Sequence, residues 1–414
     1  MKILVISNLY PPYQLGGYEI GCRNIVRGLR SQGHDVHVLT SPSHFKKTDS
    51  EESVFRHLQL RAFQIGVPET ACTRLESQVS NYTNTSVTLA HLETFQPDCV
   101  YLFNLYGLGG LGIIDALNTL HYPWIMHLMD QLPQMLQHRI QHAVLEVFNA
   151  THGNNYRPGK LISMSAHLLR EIERSCGFAY ALDADLVPGW ADLDGPLVER
   201  EYRRNGHVEF VTAGTVHPHK GINLIIEAAS MLKNEDVTNF TVSIYGNGLQ
   251  SHYINLCKHF QILEKVSFKG MQTQKELMEI YKTSDAFLFP TWEREPFGFA
   301  PIEAAAVGCI PIITRTCGAA ERLVGNVHCL KIERTADSLR NAMKTICDGQ
   351  APLQEIGMNA QAITRQDLSF ANCMNQIESI LLTAVYKSAP LEKPDWLLNN
   401  LCYLKHNLAV RLSN

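Results

Sequence analysis

The sequence lacks the cysteine patterns of disulfide-stabilised and zinc-binding proteins. Its 11 cysteines are scattered singly between Cys22 and Cys402, and no C-x-x-C pair occurs. An odd number of isolated cysteines argues against a disulfide framework and a structural zinc site, and it indicates a reducing compartment. A formal net charge of −4 gives no general reason to expect nucleic acid as a partner. No internal repeat or low-complexity tract interrupts the chain.

The sequence also shows no stretch that we interpret as a secretion signal or a membrane span. The first apolar run, Ile3–Ser7, is too short for a signal-peptide core followed by a cleavage site, and it ends in turn-forming residues. We therefore interpret this run as a first strand and expect a cytoplasmic protein.

What is present indicates two α/β domains. At 414 residues with 45% hydrophobic composition, the chain is long enough for two cores. Short apolar strands alternate with amphipathic helices, as in doubly wound sheets, and the first helix is predicted from Tyr18 to Gln32. Strands are predicted at Lys2–Ser7, Asp35–Thr40, Asp98–Phe103, Trp124–Leu128, Leu161–Met164, Val208–Thr212, Val242–Tyr245, Val266–Phe268, Ala286–Phe289 and Ile310–Ile313. The predicted divisions are a first domain over residues 1–191, a linker over 192–207, a second domain over 208–384 and a C-terminal helical segment over 385–414.

The most informative segment contains Glu295 and Glu303, which bracket a strand–loop–helix–strand unit between residues 285 and 314. The first turn of the helix in such a unit presents unpaired backbone N–H groups and the positive end of a dipole, which suit a diphosphate. Carboxylates repel phosphates but accept hydrogen bonds from hydroxyls. The two glutamates are therefore predicted to hold hydroxyls on either side of a diphosphate, one set on a sugar and the other on a ribose. An isolated E-x7-E pair would be interpreted as two solvated glutamates.

The surroundings of these glutamates resemble a known family. Glu295-Pro-Phe-Gly-Phe-Ala-Pro-Ile-Glu303, followed by Cys317-Gly-Ala-Ala-Glu321, is similar to the donor-binding segment of retaining family-4 glycosyltransferases. Further matches are Ala213-Gly-Thr-Val-His-Pro-His-Lys220-Gly221, Gly246-Asn-Gly248, Val266-Ser-Phe-Lys-Gly270 and the opening from Lys2 to Gly17. The resemblance implies the GT-B fold: two Rossmann-like doubly wound domains facing a central cleft, with a C-terminal helix crossing back to the first domain.

The resemblance also implies roles for individual residues. Glu295, Lys220 and His127 are the expected catalytic residues: Lys220 faces the phosphates, Glu295 the C3 and C4 hydroxyls of the sugar, and His127 its distal hydroxyls. The expected donor-binding residues are Gly16, Gly17, Thr215, Lys220, Gly246, Met271, Glu295, Phe297, Gly298, Phe299, Ala300 and Glu303. Family members usually carry an arginine where this chain has Thr215, and His217 and His219 are candidates to compensate.

The family transfers its sugar with retention of anomeric configuration and needs no metal or other cofactor. We expect front-side displacement without an enzyme nucleophile, because Glu295 should approach the sugar's hydroxyls rather than the face opposite the diphosphate. The backbone at Gly270-Met271 suits uracil, so a UDP-sugar is the expected donor, with GDP as the alternative. Asp183-Ala-Asp185 matches the D-x-D pattern of metal-dependent glycosyltransferases, but we interpret both acids as solvated loop residues.

A competing motif favours a different class of protein. Gly107-Leu-Gly109-Gly-Leu-Gly112 matches G-x-G-x-x-G, follows a strand and precedes a predicted helix, Ile113–Leu120, which taken alone indicates an NAD-dependent oxidoreductase. The fingerprint normally lies in the first βα unit, whereas three predicted strands come before it here. A flexible loop lining the interdomain cleft is the simpler interpretation. An inactive relative that binds sugar nucleotides is a third possibility, against which the presence of both glutamates and Lys220 argues.

The acceptor leaves few traces. Arg23, Arg27 and Arg30 form a stripe on the first helix that could rest on anionic lipid, although a solvated helix face is the simpler interpretation. The C-terminal segment has a helical apolar stripe at 397, 398, 401, 404, 408 and 412, expected to cover the first domain, with insertion into a membrane interface as the alternative. A glycan or lipid-linked glycan in polysaccharide biosynthesis is the expected acceptor, at the inner face of the membrane if lipid-linked.

Overall fold

The structure is a computed structural model that describes residues 1–13, 16–42, 51–61, 70–177, 184–193, 196–386 and 395–413. The chain divides into two compact units. The first contains Met1–Met164, Leu169–Val187 and Met374–Asn414, and the second contains Ser165–Leu168 and Pro188–Cys373. These boundaries differ from the predicted ones at two places: the chain leaves the first unit at Val187 rather than at residue 191, and it returns at Met374 rather than at residue 385.

The first unit is built on a seven-stranded parallel sheet of the order β3-β2-β1-β4-β5-β6-β7. Its central strands are buried on both faces, as expected for a parallel sheet covered by helices. The strands are β1 (Lys2–Ile6), β2 (Asp35–Leu39), β3 (Val54–Phe55), β4 (Cys99–Leu102), β5 (Trp124–Leu128), β6 (Lys160–Ser163) and β7 (Ala184–Leu186). The helices are α1 (Gly17–Ser31), α2 (Ala71–Arg74), α3 (Tyr82–Phe95), α4 (Gly110–Thr119), α5 (Leu132–Gln137), α6 (His142–Val147) and α7 (Ala166–Cys176).

The second unit repeats this plan with a six-stranded parallel sheet of the order β10-β9-β8-β11-β12-β13. Its strands are β8 (Val208–Ala213), β9 (Phe240–Tyr245), β10 (Val266–Gly270), β11 (Ala286–Phe289), β12 (Ile310–Thr314) and β13 (Leu330–Ile332). Its helices are α8 (Ile222–Asn234), α9 (Gln250–His259), α10 (Gln274–Thr283), α11 (Phe299–Ala306), α12 (Ala336–Cys347) and α13 (Leu353–Gln366). In such sheets the loops at the carboxyl edge, where all parallel strands end together, are the usual place for a ligand.

Two helices, α14 (Phe370–Tyr386) and α15 (Trp396–Ser413), end the chain. As predicted, the last helix packs on the first unit. The Lys405 ammonium lies 2.9 and 2.7 Å from the two carboxylate oxygens of Asp115 on α4. The hydroxyls of Tyr82 and Ser86 on α3 both donate to the side-chain oxygen of Asn399.

The predicted apolar stripe of α15 is mostly wrong about which face is buried, since of its six members only Leu398 is buried. The buried face contains Leu398, Cys402 and Ala409. Four leucines of the predicted stripe are 39 to 66% exposed: Leu397, Leu401, Leu404 and Leu408. In this orientation Lys405 reaches Asp115, and losing the contact would leave the Asp115 carboxylate unpaired in a largely buried position.

No helix in the described parts of the chain combines the length and apolar character that a membrane span requires.

The arginine stripe of α1 is less regular than the spacing suggests. The Arg30 guanidinium lies 3.0 Å from a carboxylate oxygen of Glu51 and also donates to the backbone carbonyls of Val36 and Glu52. Of the three arginines only Arg27 is exposed, whereas Arg23 and Arg30 are partly buried.

Candidate functional site

Lys220 lies where β8 gives way to α8, at the carboxyl edge of the second sheet. It ends a short 3-10 turn, Pro218–Lys220, and Gly221 follows in the left-handed region before α8 begins. The turn is held from outside by Arg334, whose guanidinium donates to the Pro218 carbonyl at 2.9 Å. The backbone of Lys220 is thereby held at the edge where the sheet can bind a ligand.

Glu295 lies in the loop between β11 and α11 and is 8% exposed. One of its carboxylate oxygens, Oε2, accepts two hydrogen bonds, from the Lys220 ammonium at 2.5 Å and from the Thr291 hydroxyl at 2.7 Å. Thr291 is completely buried. Bonds of this kind to an ionised carboxylate are short and strong, so they fix the carboxylate in one orientation. The structure therefore brings together Lys220 and Glu295, which are 75 positions apart in the sequence.

The loop that carries Glu295 is held by the segment after β12. The Gly318 N–H donates to the Glu295 carbonyl, and the Ala319 N–H donates to the Phe297 carbonyl at 2.9 Å. The Phe297 ring is 1% exposed. Phe297 is therefore a core residue that anchors the loop, and its predicted contact with the donor remains a prediction.

The start of α11 has the geometry of an anion-binding helix end. Gly298 caps the helix with a φ of 101° and, as a glycine, has no side chain to accept a hydrogen bond from the first amides of the helix. A Cβ at this position would lie 2.8 Å from the Phe289 ring, so the turn requires glycine. Phe299 and Ala300 contribute the first backbone amides of the helix, where the helix dipole favours an anion.

Glu303 lies one turn further along α11 and lines a cavity of about 220 Å³. Its burial raises the pKa of its carboxyl above the ordinary value, whereas the hydrogen bond from Gln274 acts to lower this pKa. The Gln274 amide donates to Glu303 Oε1 at 2.8 Å. The remaining lining residues are Ala191, Asp192, Leu193, Lys275 and Met278. A partly buried acceptor in a polar cavity of this size can receive hydroxyl groups such as those of a ribose.

The other predicted donor-binding residues of the second unit lie along the same edge. Thr215 and Lys220 line one recess with Tyr245 and Phe289. Gly246 follows β9, and its N–H donates to the Gly270 carbonyl at 2.8 Å. Met271 is 72% exposed, next to Asn247, whose amide contacts its sulfur at 3.7 Å.

The two histidines that are candidates to compensate for the missing arginine contact each other. His217 Nδ1 and His219 Nδ1 are 2.6 Å apart, so one ring must be unprotonated at that nitrogen to accept the hydrogen bond. Partial burial and the neighbouring Lys220 charge lower the pKa of His219. Arg334, which is permanently charged, is a stronger candidate for added positive charge near this turn.

Three predicted site residues belong to the first unit. Gly16 and Gly17 lie exposed at the start of α1. His127, near the carboxyl end of β5, is completely buried. The hydroxyl of Tyr18, the residue after Gly17, donates to the His127 backbone carbonyl at 2.7 Å, and the Tyr101 hydroxyl lies 2.8 Å from His127 Nδ1. Burial lowers the pKa of His127 to about 3, so the ring is neutral.

The structure contradicts both interpretations of Gly107–Gly112. The segment is buried, so it is not a flexible loop. The N–H groups of Gly107 and Gly109 both donate to the Ser77 carbonyl at 2.9 Å, and the Gly112 N–H donates to the Gly109 carbonyl. A Cβ on Gly109 would lie 2.1 Å from the Asn81 nitrogen. These glycines therefore permit close packing, and their amides are not free to bind a pyrophosphate.

The D-x-D motif is also corrected in part. Asp185 is not a loop residue but lies on β7, where its carboxylate is 3.1 Å from the Lys160 ammonium. Asp183 lies outside the described residues. Among the described residues, no group of three His, Cys, Asp or Glu side chains is placed to hold a metal ion.

Several contacts at these sites were not predicted from the sequence. They are made by Tyr101, Gln274, Thr291 and Arg334, each of which bonds to a predicted site residue or to its turn. A threonine or glutamine carries no motif of its own, and only the position of Thr291 four residues before Glu295 could have suggested its contact.

Comparisons with known proteins identify the family of the chain. The family described as "Glycosyl transferase 4-like domain" matches residues 16–179, and "Glycosyl transferases group 1" matches residues 199–363. The chain is 24% identical over 415 aligned positions to a glycogen synthase of Mycobacterium tuberculosis, covering 93% of this chain and 95% of the relative.

Solved structures share the fold. A sucrose-phosphate synthase from Thermosynechococcus elongatus superposes with a TM-score of 0.71 at 17% identity, covering 92% of this chain and 98% of that one. HepE of Anabaena in complex with UDP and glucose superposes with a TM-score of 0.64 at 18% identity, covering 92% and 100%. The two family matches span both units, and the fold agrees with these structures. The chain belongs to the family-4 glycosyltransferases of the GT-B fold.

Proposed function

We propose that the protein transfers a hexose from a UDP-sugar to a glycan or lipid-linked glycan, with retention of configuration and without a metal. The observation that carries this proposal is the cluster of Lys220, Thr291 and Glu295 beside the start of α11, with Glu303 one turn along the same helix. These groups match the three parts of a nucleotide sugar. Glu295 would accept hydroxyls of the sugar, the Lys220 ammonium and the helix-end amides would bind the diphosphate, and Glu303 would accept hydroxyls of the ribose.

The chemical step requires charge stabilisation at the leaving group. Cleavage of the anomeric C–O bond builds negative charge on the diphosphate, and preorganised donors at that position lower the barrier most. Lys220 provides a mobile cation, and the amides of Phe299 and Ala300 provide fixed dipoles. In the free enzyme Lys220 bonds to Glu295, and the arriving diphosphate then competes for the same ammonium.

Glu295 orients the sugar rather than attacking it. Its Oε2 is already occupied by Lys220 and Thr291, which leaves Oε1 to accept hydroxyls of the sugar. We therefore propose front-side displacement, in which the departing phosphate oxygen takes the proton of the acceptor hydroxyl. His127 is neutral and acts by hydrogen bonding, since a ring with a pKa of about 3 is unprotonated near neutral pH.

The choice of UDP is supported by two observations. The base would meet the backbone after β10, at Gly270 and Met271, where backbone contacts suit uracil. The structurally similar HepE is a complex with UDP and glucose. Glu303, supported by Gln274, would hold the ribose hydroxyls.

A thermal-shift panel of UDP, GDP and NAD tests the donor class, because a ligand that binds the native state raises the melting temperature. UDP should stabilise the protein most. If NAD raised the melting temperature most, the proposal would be overturned. If GDP did so, the donor would carry guanine instead of uracil, and the proposed site would stand.

Two variants separate the roles of the glutamates. Glu295→Ala should chiefly lower kcat, whereas Glu303→Ala should chiefly weaken binding of free UDP. If both variants lost UDP affinity equally and kept kcat, the assignment of sugar and ribose sides would be wrong. Leu249→Ser, which alters an exposed leucine of the same unit, serves as the control.

We further propose that contact with an anionic membrane uses α15. Its exposed face carries Trp396 and Tyr403 besides the four leucines, and no Asp or Glu occurs between residues 396 and 413. Aromatic and aliphatic side chains on a helix without acids, with the exposed Arg411 at its end, suit the interface of an anionic bilayer.

Co-sedimentation with anionic and neutral vesicles tests this contact. A Leu404→Ser/Leu408→Ser protein should lose binding to anionic vesicles, whereas Leu249→Ser should bind like the wild type. Equal binding of all three proteins, or a wild-type dimer in light scattering that the double variant abolishes, would overturn the membrane proposal.

A further inference from the structure

The surroundings of His127 contain a feature that the transfer reaction does not by itself require. His127 is held at two points in the first unit: the Tyr18 hydroxyl donates to its backbone carbonyl, and the Tyr101 hydroxyl lies 2.8 Å from Nδ1 of its ring. The opposite nitrogen, Nε2, is buried and has no hydrogen-bond partner among the described residues.

The hydrogen-bond inventory decides which nitrogen carries the proton. Tyr101 has one O–H donor, and its hydroxyl contacts His127 Nδ1 in the described structure. If Nδ1–H donated to the tyrosine oxygen, the buried O–H of Tyr101 would be left without an acceptor there, and Nε2 would be an unpaired acceptor as well. If Tyr101 donates to Nδ1, only one group, Nε2–H, remains unpaired. Each unpaired buried polar group costs about 1–3 kcal/mol, so the second arrangement is favoured.

Burial supports the neutral forms of both partners. It raises the pKa of the Tyr101 hydroxyl well above its ordinary value, so the tyrosine keeps its proton. It lowers the pKa of His127 to about 3, so the ring holds a single hydrogen. The rings of Tyr101 and Phe103 lie nearly parallel to the imidazole, with centroids 6.1 and 5.6 Å away, and limit its rotation.

We propose that Tyr101 is a positioning residue that fixes His127 as the Nε2–H tautomer, so that His127 presents a neutral hydrogen-bond donor to an oxygen of the transferred sugar. The contact with the sugar rests on the proposed function, whereas the tautomer does not. In this arrangement His127 can neither take a proton from the acceptor at Nε2 nor supply a positive charge.

Selective ¹⁵N-histidine labelling tests the tautomer directly, because long-range proton–nitrogen correlation distinguishes the protonated from the unprotonated ring nitrogen. The His127 signals are identified by their loss in His127→Gln. The wild type should show the Nε2–H form, and Tyr101→Phe should shift or mix it. Tyr122→Phe is the matched control, since it removes another buried hydroxyl of the first unit, bonded to the Pro97 carbonyl, and should leave His127 unchanged.

Steady-state kinetics test whether the Nε2–H tautomer of His127 contributes to sugar transfer. Tyr101→Phe should lower kcat/KM about two- to tenfold, the effect of one ordinary hydrogen bond, while the Kd of free UDP stays within about twofold. His127→Gln, which keeps a donor at the Nε2 position, should retain more activity than His127→Asn.

A wild-type Nδ1–H tautomer or an imidazolium would overturn the proposal, as would a changed tautomer in Tyr101→Phe with unaltered kcat/KM. Failure of the proposed function has a different signature: no nucleotide sugar would be turned over by any variant, while the tautomer in the free protein would still confirm or refute the part of Tyr101.

Discussion

The hydrogen bond from Thr291 to Glu295 yields the sharpest prediction. Thr291→Val replaces the hydroxyl by a methyl group of similar size at a completely buried position. The lost bond is 2.7 Å long and ends on a carboxylate that is 8% exposed. Bonds to charged groups contribute about 1.5–3 kcal/mol, which corresponds to a factor of about 10 to 150 in rate if the whole contribution is realised in the transition state. Because Lys220 still holds the carboxylate, we expect the lower end, about a tenfold loss of kcat.

The assay is initial-rate kinetics with UDP release as the signal, together with calorimetric binding of free UDP. The Kd of UDP should change by less than about twofold, since Glu303 rather than Glu295 is assigned to the ribose. Thr314→Val is the matched control: this buried threonine ends the neighbouring strand β12, and its hydroxyl has no partner among the described residues. Removal of the Thr314 hydroxyl should leave kcat unchanged. Equal kcat in the wild type and both variants would refute the claim that Thr291 orients Glu295.

Three further predictions concern stability and metal. Burial raises the pKa of Glu303, so ionisation of its carboxyl opposes folding once the pH rises above the pKa of this group in the unfolded chain. Glu303→Gln should therefore raise the melting temperature at pH 7 in a thermal scan while weakening UDP binding. An unchanged or lower melting temperature would contradict this prediction. Lys405→Met leaves the Asp115 carboxylate unpaired in a largely buried position. It should lower the free energy of unfolding in urea by about 1–3 kcal/mol, less than for a fully buried pair because Lys405 is partly exposed. The double variant Lys405→Met/Asp115→Asn should recover much of this loss. A chelator should leave turnover unchanged, and a large loss that added divalent ions restore would bring a metal back into the mechanism.

The sheets could be predicted because their central strands are short apolar runs buried on both faces. The short strands β3, β7 and β13 could not, since two or three residues carry too little pattern. Asp185 was misassigned for this reason: it lies on β7, where only the pairing with β6 makes its segment a strand.

The orientation of α15 was wrong for a different reason. Periodicity identifies an apolar face, but the partner surface decides which face is buried. Here the contact of Lys405 with Asp115 and that of His406 with the Ser80 carbonyl turn the helix, and the leucines face outward. Local pattern failed in the same way at Gly109, where the G-x-G-x-x-G spacing serves close packing against Asn81.

The candidate site was predicted where charged residues lie in a recognisable pattern, as at Lys220, Glu295 and Glu303. The residues that orient them were missed. Thr291 and Gln274 act through single hydrogen bonds that depend on how loops and helices pack, and no spacing in the sequence encodes those contacts. The sequence therefore predicts the groups that we propose to touch the donor, but not the side chains that hold them in place.

A structure of the protein crystallised with UDP tests the central claim most directly. The diphosphate should lie within about 3 Å of the Lys220 ammonium and of the amides of Phe299 and Ala300, and the ribose hydroxyls should contact Glu303. UDP bound elsewhere, for example beside Gly107–Gly112 in the first unit, would contradict it.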